Sequence, residues 1–316
     1  MAWSGSISGD SQLNSTTTFT PSNNLAEGQY EVSSFKAPKK GVYRFVLKGS
    51  GGTNGNSSGG QGGSTTGYLL MEANQTVYVG AGGTCSAAFV ASTNGSTLSS
   101  VSQSSVYFVA GAGGAGGRYD SVNEPYSTNG GNGGGSSGAN GGDYSPWSGN
   151  SFTLYGGKGG SHNSGGNAGA PSTGAGENGT SGGNGQYGIG GSGGVHDNKH
   201  GQKAYGGRGG DGYYGGGGGC ANATHNSSTG DTSGWAMGGG GGSGYVKVRT
   251  ITVSSKEYTS TTSQGGGAQA GAKGSVEIMY CANAELPVNY NGVFIERLFI
   301  NGVEVAGLYY NGNKVF

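Results

Sequence analysis

Glycine pairs separated by a single side chain recur through positions 111–244 of this 316-residue chain, and that triplet limits what the stretch can fold into. The clearest runs are GGAGGR at 113–118, GGKGGS at 156–161, GIGGSGGV at 188–195 and GGRGGDG at 206–212. About two-thirds of the chain's 77 glycines lie in this window. Glycine loses the most conformational freedom on ordering, and Gly/Ser composition ordinarily means a flexible linker. The competing solution is packed main chain. An extended helix of three residues per turn makes no internal hydrogen bonds, so its N–H and C=O groups point outward. Where facing residues lack a Cβ, such helices can lie side by side and bond to one another, a lattice known as polyglycine II.

The lattice demands glycine wherever one helix meets another and allows a side chain only on a free edge. Gly113, Gly116, Gly156, Gly159, Gly190, Gly193, Gly206 and Gly209 are therefore expected to be structural. Arg118, Lys158, Ser161, Ser192, Val195, Arg208 and Asp211 take the third position. On this reading Gly209→Val or Gly190→Val should collapse the assembly, and Arg208→Ala should be nearly silent. Collagen shares the period but needs unbroken G-X-Y and abundant proline. Six prolines and runs of two or three triplets speak against it.

The flanking sequence has a different rhythm. In VYRFVLK (42–48), Tyr43, Phe45 and Leu47 share one face and Arg44 and Lys48 the other, which is a half-buried strand after a turn marked by Pro38 and Gly41. Further strands are expected at 68–72, 76–79, 106–110, 245–253 and 276–280, rich in Tyr, Val, Ile and Phe. No apolar pattern of helical period occurs. The expected fold is all-β with almost no α-helix: a jelly-roll-like scaffold carrying an inserted polyglycine II bundle. Residues 1–28 read as an extended arm anchored by Trp3, Ile7, Leu13, Phe19 and Leu25. Residues 29–110 form the first part of the scaffold, 111–244 the bundle with its aromatic loops, and 245–283 the return strands. The tail, 284–316, repeats Asn-Gly every ten residues at 291–292, 301–302 and 311–312, which predicts a small β-meander after Pro287.

Composition narrows function mainly by exclusion. Only 31% of residues are hydrophobic and 10% charged, with formal net charge zero. That balance gives no reason to expect nucleic acid as a partner. Cys85, Cys220 and Cys281 are an odd number at long spacings and imply neither a disulfide framework nor a zinc site. MAWSGSISGD has no basic n-region or apolar h-region, and no apolar stretch approaches a membrane span, so neither a secretory leader nor membrane insertion is expected. His196 and His200 stand four apart among glycines, where a helix is improbable, and His162 and His225 sit in Ser/Asn/Gly loops. Asp120, Glu124, Asp143 and Glu177 are too scattered for spacing to pair them. GxGxxG-like strings are so common here that they carry no nucleotide signal, and sequons such as Asn14, Asn178 and Asn222 are expected by chance. No catalytic residue, metal or cofactor is expected.

The loops between glycine runs carry the aromatic side chains. Tyr119, Tyr126, Tyr144, Trp147 and Tyr155 form one group. Tyr187 and Tyr205 lie in another, and Tyr213, Tyr214 and Trp235 in a third. Large rings offer contact area at low entropic cost, and a rigid base lowers the ordering cost of association. Tyr119, Tyr126, Tyr144, Trp147, Tyr155, Tyr205, Tyr213, Tyr214 and Trp235 are the candidate recognition residues. The alternative is that these rings simply lid a glycine interior.

The stretch FKAPKKGVYRF (35–45) resembles the first-strand pattern of C1q/TNF-like jelly rolls. It is similar also to sheets that precede glycine-rich modules in anaplastic lymphoma kinase-type receptors and in many bacteriophage tail proteins. The triplet runs between aromatic loops resemble the polyglycine sandwich of T-even-like phage tail-fibre adhesins. The tail INGVEVAGLYYNGNKVF (300–316) is similar to C-terminal repeats of phage virion proteins. Together these cover most of 35–316. The resemblance implies a non-enzymatic virion protein assembled in the host cytoplasm, with other virion proteins and its own copies, as a trimer, for partners. As a tail-fibre or tail-tip adhesin it would bind a host cell-surface glycan or protein through the loops. A capsid decoration or head fibre, or an extracellular glycine-rich structural module, are the alternatives.

Overall fold

A computed structural model describes residues 6–8, 16–22, 24–120, 124–145, 152–172, 179–197, 201–225, 232–253 and 256–283, together with short strands between 288 and 314. The fold is all-β. Two single 3-10 turns, Leu98–Ser100 and Gln103–Ser105, are the helical pieces among the described residues.

Two sheets face each other. One runs in the order Ser6–Ser8, Tyr30–Lys36, Thr76–Gly82, Ala88–Ala91, Val106–Ala110, Tyr245–Val246. The other runs Thr261–Gly266, Gly63–Met71, Gly41–Lys48, Ser275–Asn283, Thr16–Phe19. The alternation read from 42–48 points Tyr43, Phe45 and Leu47 into the space between them, where they meet Phe35, Val79, Phe108 and Val276. Phe35 from the first sheet stands edge-on to Tyr43 and Phe45 of the second, at centroid distances of 5.6 and 6.2 Å. Such pairs add to the burial of the rings themselves. Gly67 completes the fit, because a Cβ there would run into the Phe108 ring.

The N-terminal arm lies on both sheets. Ser6–Ser8 adds in parallel to Tyr30–Lys36, and Thr16–Phe19 pairs with Ser275–Asn283, burying Phe19 in the core. Trp3 and Leu13 lie outside the described residues.

The glycine runs form a hydrogen-bonded lattice, and its three-residue period can be followed bond by bond. In the run 237–242, the N–H groups of Gly239, Gly240 and Gly241 donate to Ala115, Gly217 and Ala139, on three different neighbours. Gly242 then returns to the first neighbour, at Ala112. The carbonyls behave alike: Gly239 and Gly242 accept from Gly131 and Gly134, Gly238 and Gly241 from Gly157 and Gly160, and Gly240 from Gly210. One turn of three residues thus presents donors and acceptors to every side, as an extended threefold helix requires. Neighbours run both ways. Gly111, Gly114 and Gly117 face the carbonyls of Gly242, Gly239 and Ala236 in antiparallel register, whereas Gly239 and Gly242 face Arg208 and Asp211 in parallel.

At each of Gly113, Gly116, Gly156, Gly159, Gly190, Gly193, Gly206 and Gly209 an added Cβ would fall inside 3.0 Å of a neighbouring backbone carbonyl. Hydrogen-bonded backbone makes up most of the interior here.

Three boundaries differ from the sequence reading. The lattice starts before 111: Gly52 faces the Gly114 carbonyl, Gly60 faces Gly131, and Gly51 packs on Gln269, so segments near 49–63 and 267–274 belong to it. The strand expected over 245–253 breaks after Val246. Its second half, Thr250–Val253, pairs with Lys256–Thr259 in a separate hairpin. Thr261–Gly266 is a further strand on the edge of the second sheet. Finally, the described strands of the tail pair two by two. Val288–Tyr290 pairs with Val293–Ile295, Phe299–Ile300 with Val303–Glu304, and Tyr309–Tyr310 with Asn313–Lys314. The Asn-Gly residues of these turns and Pro287 lie outside the described residues.

Candidate recognition face

Successive glycine runs carry the chain away from the sandwich and back, so the bundle has an inner and an outer end. Gly111 leaves directly from the strand Val106–Ala110, and Gly244 leads directly into Tyr245–Val246. The inner connections are short. Residues 135–137, 161–164, 186–189 and 213–214 turn the chain against the sandwich, where Gly134 bridges to Gln264 and the Tyr187 hydroxyl donates to the Val101 carbonyl at 2.9 Å. Most of the outer connections are longer. They include the three-stranded sheet Val195–Asp197, Lys203–Tyr205, Arg118–Asp120 and the three-stranded sheet Glu124–Ser127, Thr232–Ala236, Ala221–His225. The loop 143–155 joins them there, closed by paired hydrogen bonds between Tyr144 and Leu154.

This sorting separates the candidate residues. Tyr119, Tyr126, Tyr144, Tyr155, Tyr205 and Trp235 lie at the outer end. Trp147 and His200, and the side chain of His225, lie outside the described residues. Tyr213 and Tyr214 belong to the inner end, contrary to the sequence grouping. Tyr213 stacks on Tyr245 at 3.9 Å with the rings 6° from parallel, and Tyr187 stands edge-on to both Tyr213 and Tyr214. Burial first, then neighbouring Tyr245, pushes the Tyr213 phenol up to about 12, and Tyr187 is raised by burial and by the adjoining phenols. These rings seal the seam between bundle and sandwich.

At the outer end Tyr126 and Tyr144 approach to 4.3 Å, Phe152 meets Trp235 edge-on at 5.6 Å, and Tyr144 lies 6.4 Å from Trp235. Beneath them Leu154, Cys220 and Met237 are fully buried, the side-chain core of this end. Burial pushes the Cys220 thiol up to about 12, which leaves it an inert apolar group. Tyr126 and Tyr155 remain 42% and 40% exposed. Charged side chains close on one another: Arg118 with Asp120 at 3.0 Å, Lys203 with Asp197 at 3.0 Å and Lys158 with Asp143 at 3.5 Å. The Arg118 guanidinium also covers the Tyr205 ring, 5.2 Å from its centroid. The His196 Nδ1 accepts from the Ala223 N–H at 2.8 Å, and burial lowers its pKa. Among the described residues no group of three or more His, Cys, Asp or Glu gathers as a metal site would require.

Two sets of residues escaped the sequence reading. The first consists of asparagines on bundle edges, whose side-chain carbonyls replace a missing neighbour. Asn129 and Asn132 Oδ1 accept from the N–H groups of Ser58 and Gln61, three residues apart on both sides. Asn140 and Asn184 do the same for Gly159 and Ala168. The recurrence of Asn before Gly at triplet spacing is the signal that could have revealed them. The second is an ionic cluster at the inner end. Arg208 Nη2 meets Asp211 Oδ1 at 2.6 Å, and that carboxylate also accepts from the Tyr30 hydroxyl at 2.9 Å and the Gly190 N–H at 2.8 Å. Arg208 donates in addition to the Cys85 carbonyl and lies against Gly28, whose φ of 74° is one that residues with a side chain rarely adopt. Arg208 is therefore not on a free edge, and the expectation that its removal would be silent is overturned. Burial pushes the Asp211 carboxyl up while Arg208 pulls it down; burial also pulls Arg208 down, but the Asp211 charge and hydrogen bond together with its other neighbours outweigh that and raise it.

No known protein family matches this sequence, and no curated protein is significantly similar to it. Among the described residues no helix is long and apolar enough to cross a membrane.

Proposed function

We propose that this chain is a non-enzymatic bacteriophage virion protein, a tail-fibre or tail-tip adhesin that touches a host-surface receptor with the outer loops of its glycine bundle. One observation carries this reading: the inner connections at 135–137, 161–164, 186–189 and 213–214 are short turns, while the outer connections at 118–127, 143–155, 195–205 and 221–236 are longer and carry rings seated on a hydrogen-bonded base. A fixed base with variable loops at one end is the arrangement that recognition favours. Other virion proteins and further copies of the chain, as a trimer, are its proposed partners at the sandwich end. A head-fibre or capsid-decoration role is the second reading. It is favoured by the packing of Tyr144, Phe152 and Trp235 on Leu154, Cys220 and Met237, where the rings also serve as a lid.

The test is adherence of the purified chain to a panel of intact bacterial strains, with residues 145–151 exchanged for an unrelated sequence of the same length, which keeps Tyr144, Phe152 and Leu154 in place. Strain-selective adherence that the exchange redirects or abolishes supports the adhesin. Labelled chain found on particle heads, with no adherence to any strain, would leave the head-fibre reading.

A further inference from the structure

We propose that the outer face takes an uncharged polysaccharide, bound by stacking of sugar rings on Tyr126 and Tyr155; this rests on the recognition role assigned to that end. Among the described residues, the large apolar side chains exposed at the outer end are Tyr126, Tyr155 and Val195, each on a different loop. Val195 is the one aliphatic side chain among them, and the other two are rings. Tyr126 is backed by Tyr144 at 4.3 Å and Tyr155 by the Lys158 ammonium at 5.7 Å, and each ring keeps about two-fifths of its surface open to a ligand. A pyranose presents a patch of C–H groups on each face and hydroxyls around its rim. Backed rings on different connections suit a ligand that repeats in ring-sized units.

The charges point the same way. The three cations named at this end, Arg118, Lys158 and Lys203, are each paired with a carboxylate of the same face, Asp120, Asp143 and Asp197. An anionic polymer would have to break those pairs to find a counter-charge. Sugar hydroxyls need no such exchange, because they can donate to a carboxylate and accept from its cation while the pair stays closed.

The experiment measures retention of the full chain on immobilised neutral bacterial polysaccharides and on acidic ones bearing uronate or phosphate, at low and high salt. The expected result is retention on neutral polymers with little salt dependence. Tyr126→Ala and Tyr155→Ala should each weaken it about tenfold, and Tyr126→Phe, which keeps the ring, should hold it within about twofold. Retention only on acidic polymers, reversed by salt, would overturn the proposal. So would adherence to cells that protease abolishes and periodate spares, an outcome that leaves the adhesin reading standing. Conversely, ring-dependent retention on neutral polymers by a chain found only on particle heads would sink the adhesin and keep the sugar site.

Discussion

Arg208 and Asp211 stand one triplet apart on a single glycine run, and their side chains meet at 2.6 Å with the carboxylate 2% exposed. Three residues per turn puts both on one side of the helix, and that side faces Tyr30 and the Cys85 carbonyl of the sandwich. The pair fastens the bundle to the scaffold. Breaking a buried ion pair from one side strands the other charge, at a cost of about 3–5 kcal/mol. Arg208→Ala and Asp211→Ala should each lower the denaturant midpoint accordingly. The double variant should lose clearly less than the sum, as a double-mutant cycle would record.

The lattice itself predicts a sharp contrast between positions. Gly209→Val or Gly193→Val would drive carbons into the carbonyls of Gly216 or Gly206, and these variants should fail to yield folded protein. Lys158 sits on an outer edge with its side chain 40% exposed, so Lys158→Ala should cost no more than about 1 kcal/mol. Comparable losses of thermal stability at both kinds of site would contradict a main-chain interior.

Edge asparagines should show as local protection. Asn132→Ala removes the acceptor that holds the Gln61 N–H at 2.8 Å and should cost about 0.5–1.5 kcal/mol. Amide exchange at Gln61 should quicken in that variant, while Asn132→Asp, which keeps an acceptor oxygen, should leave it slow.

Alkaline pH should open the seam first. Tyr30, Tyr187 and Tyr213 all carry phenols raised by burial, Tyr213 to about 12. A raised phenol pKa means the folded state holds its proton more tightly than the unfolded chain does. Its contribution is therefore complete below pH of about 10 and is lost as pH climbs through the folded value. Unfolding midpoints should be level up to pH of about 10 and then fall, in step with tyrosinate absorbance. Tyr213→Phe should make that fall shallower.

Much of this architecture could be read from residues because its periods are short. The alternation of Tyr43, Phe45 and Leu47 reports a sheet with one buried face, and the GGX triplet reports a helix of three residues per turn. What escaped depends on the lattice as a whole. GSGGTNGNSSGGQGG (49–63) joins two adjacent antiparallel strands and reads as an ordinary long hairpin loop until its partners near 111–117 and 131 are in place. The triplet puts Arg208 and Asp211 on one side of their helix, but only the neighbouring runs decide whether that side is an edge or a seam. Tyr213, Tyr214 and Trp235 seemed one region because they are close in sequence. One further run, Gly215 to Cys220, takes the chain to the opposite end before Trp235 is reached. Counting passes, as well as residues, would have sorted them.

Apart from the edge asparagines and the Arg208–Asp211 cluster, the donors and acceptors that hold run to run are peptide N–H and peptide C=O. Such an interior keeps no memory of which loop is attached to which pass. Two genes of this design could therefore recombine inside their glycine tracts and yield a chimera that still assembles, given two conditions. The crossover must preserve the phase of three, and it must preserve the direction of travel. A new tip would then be acquired whole, in one genetic event, without any compensating change in the material that carries it.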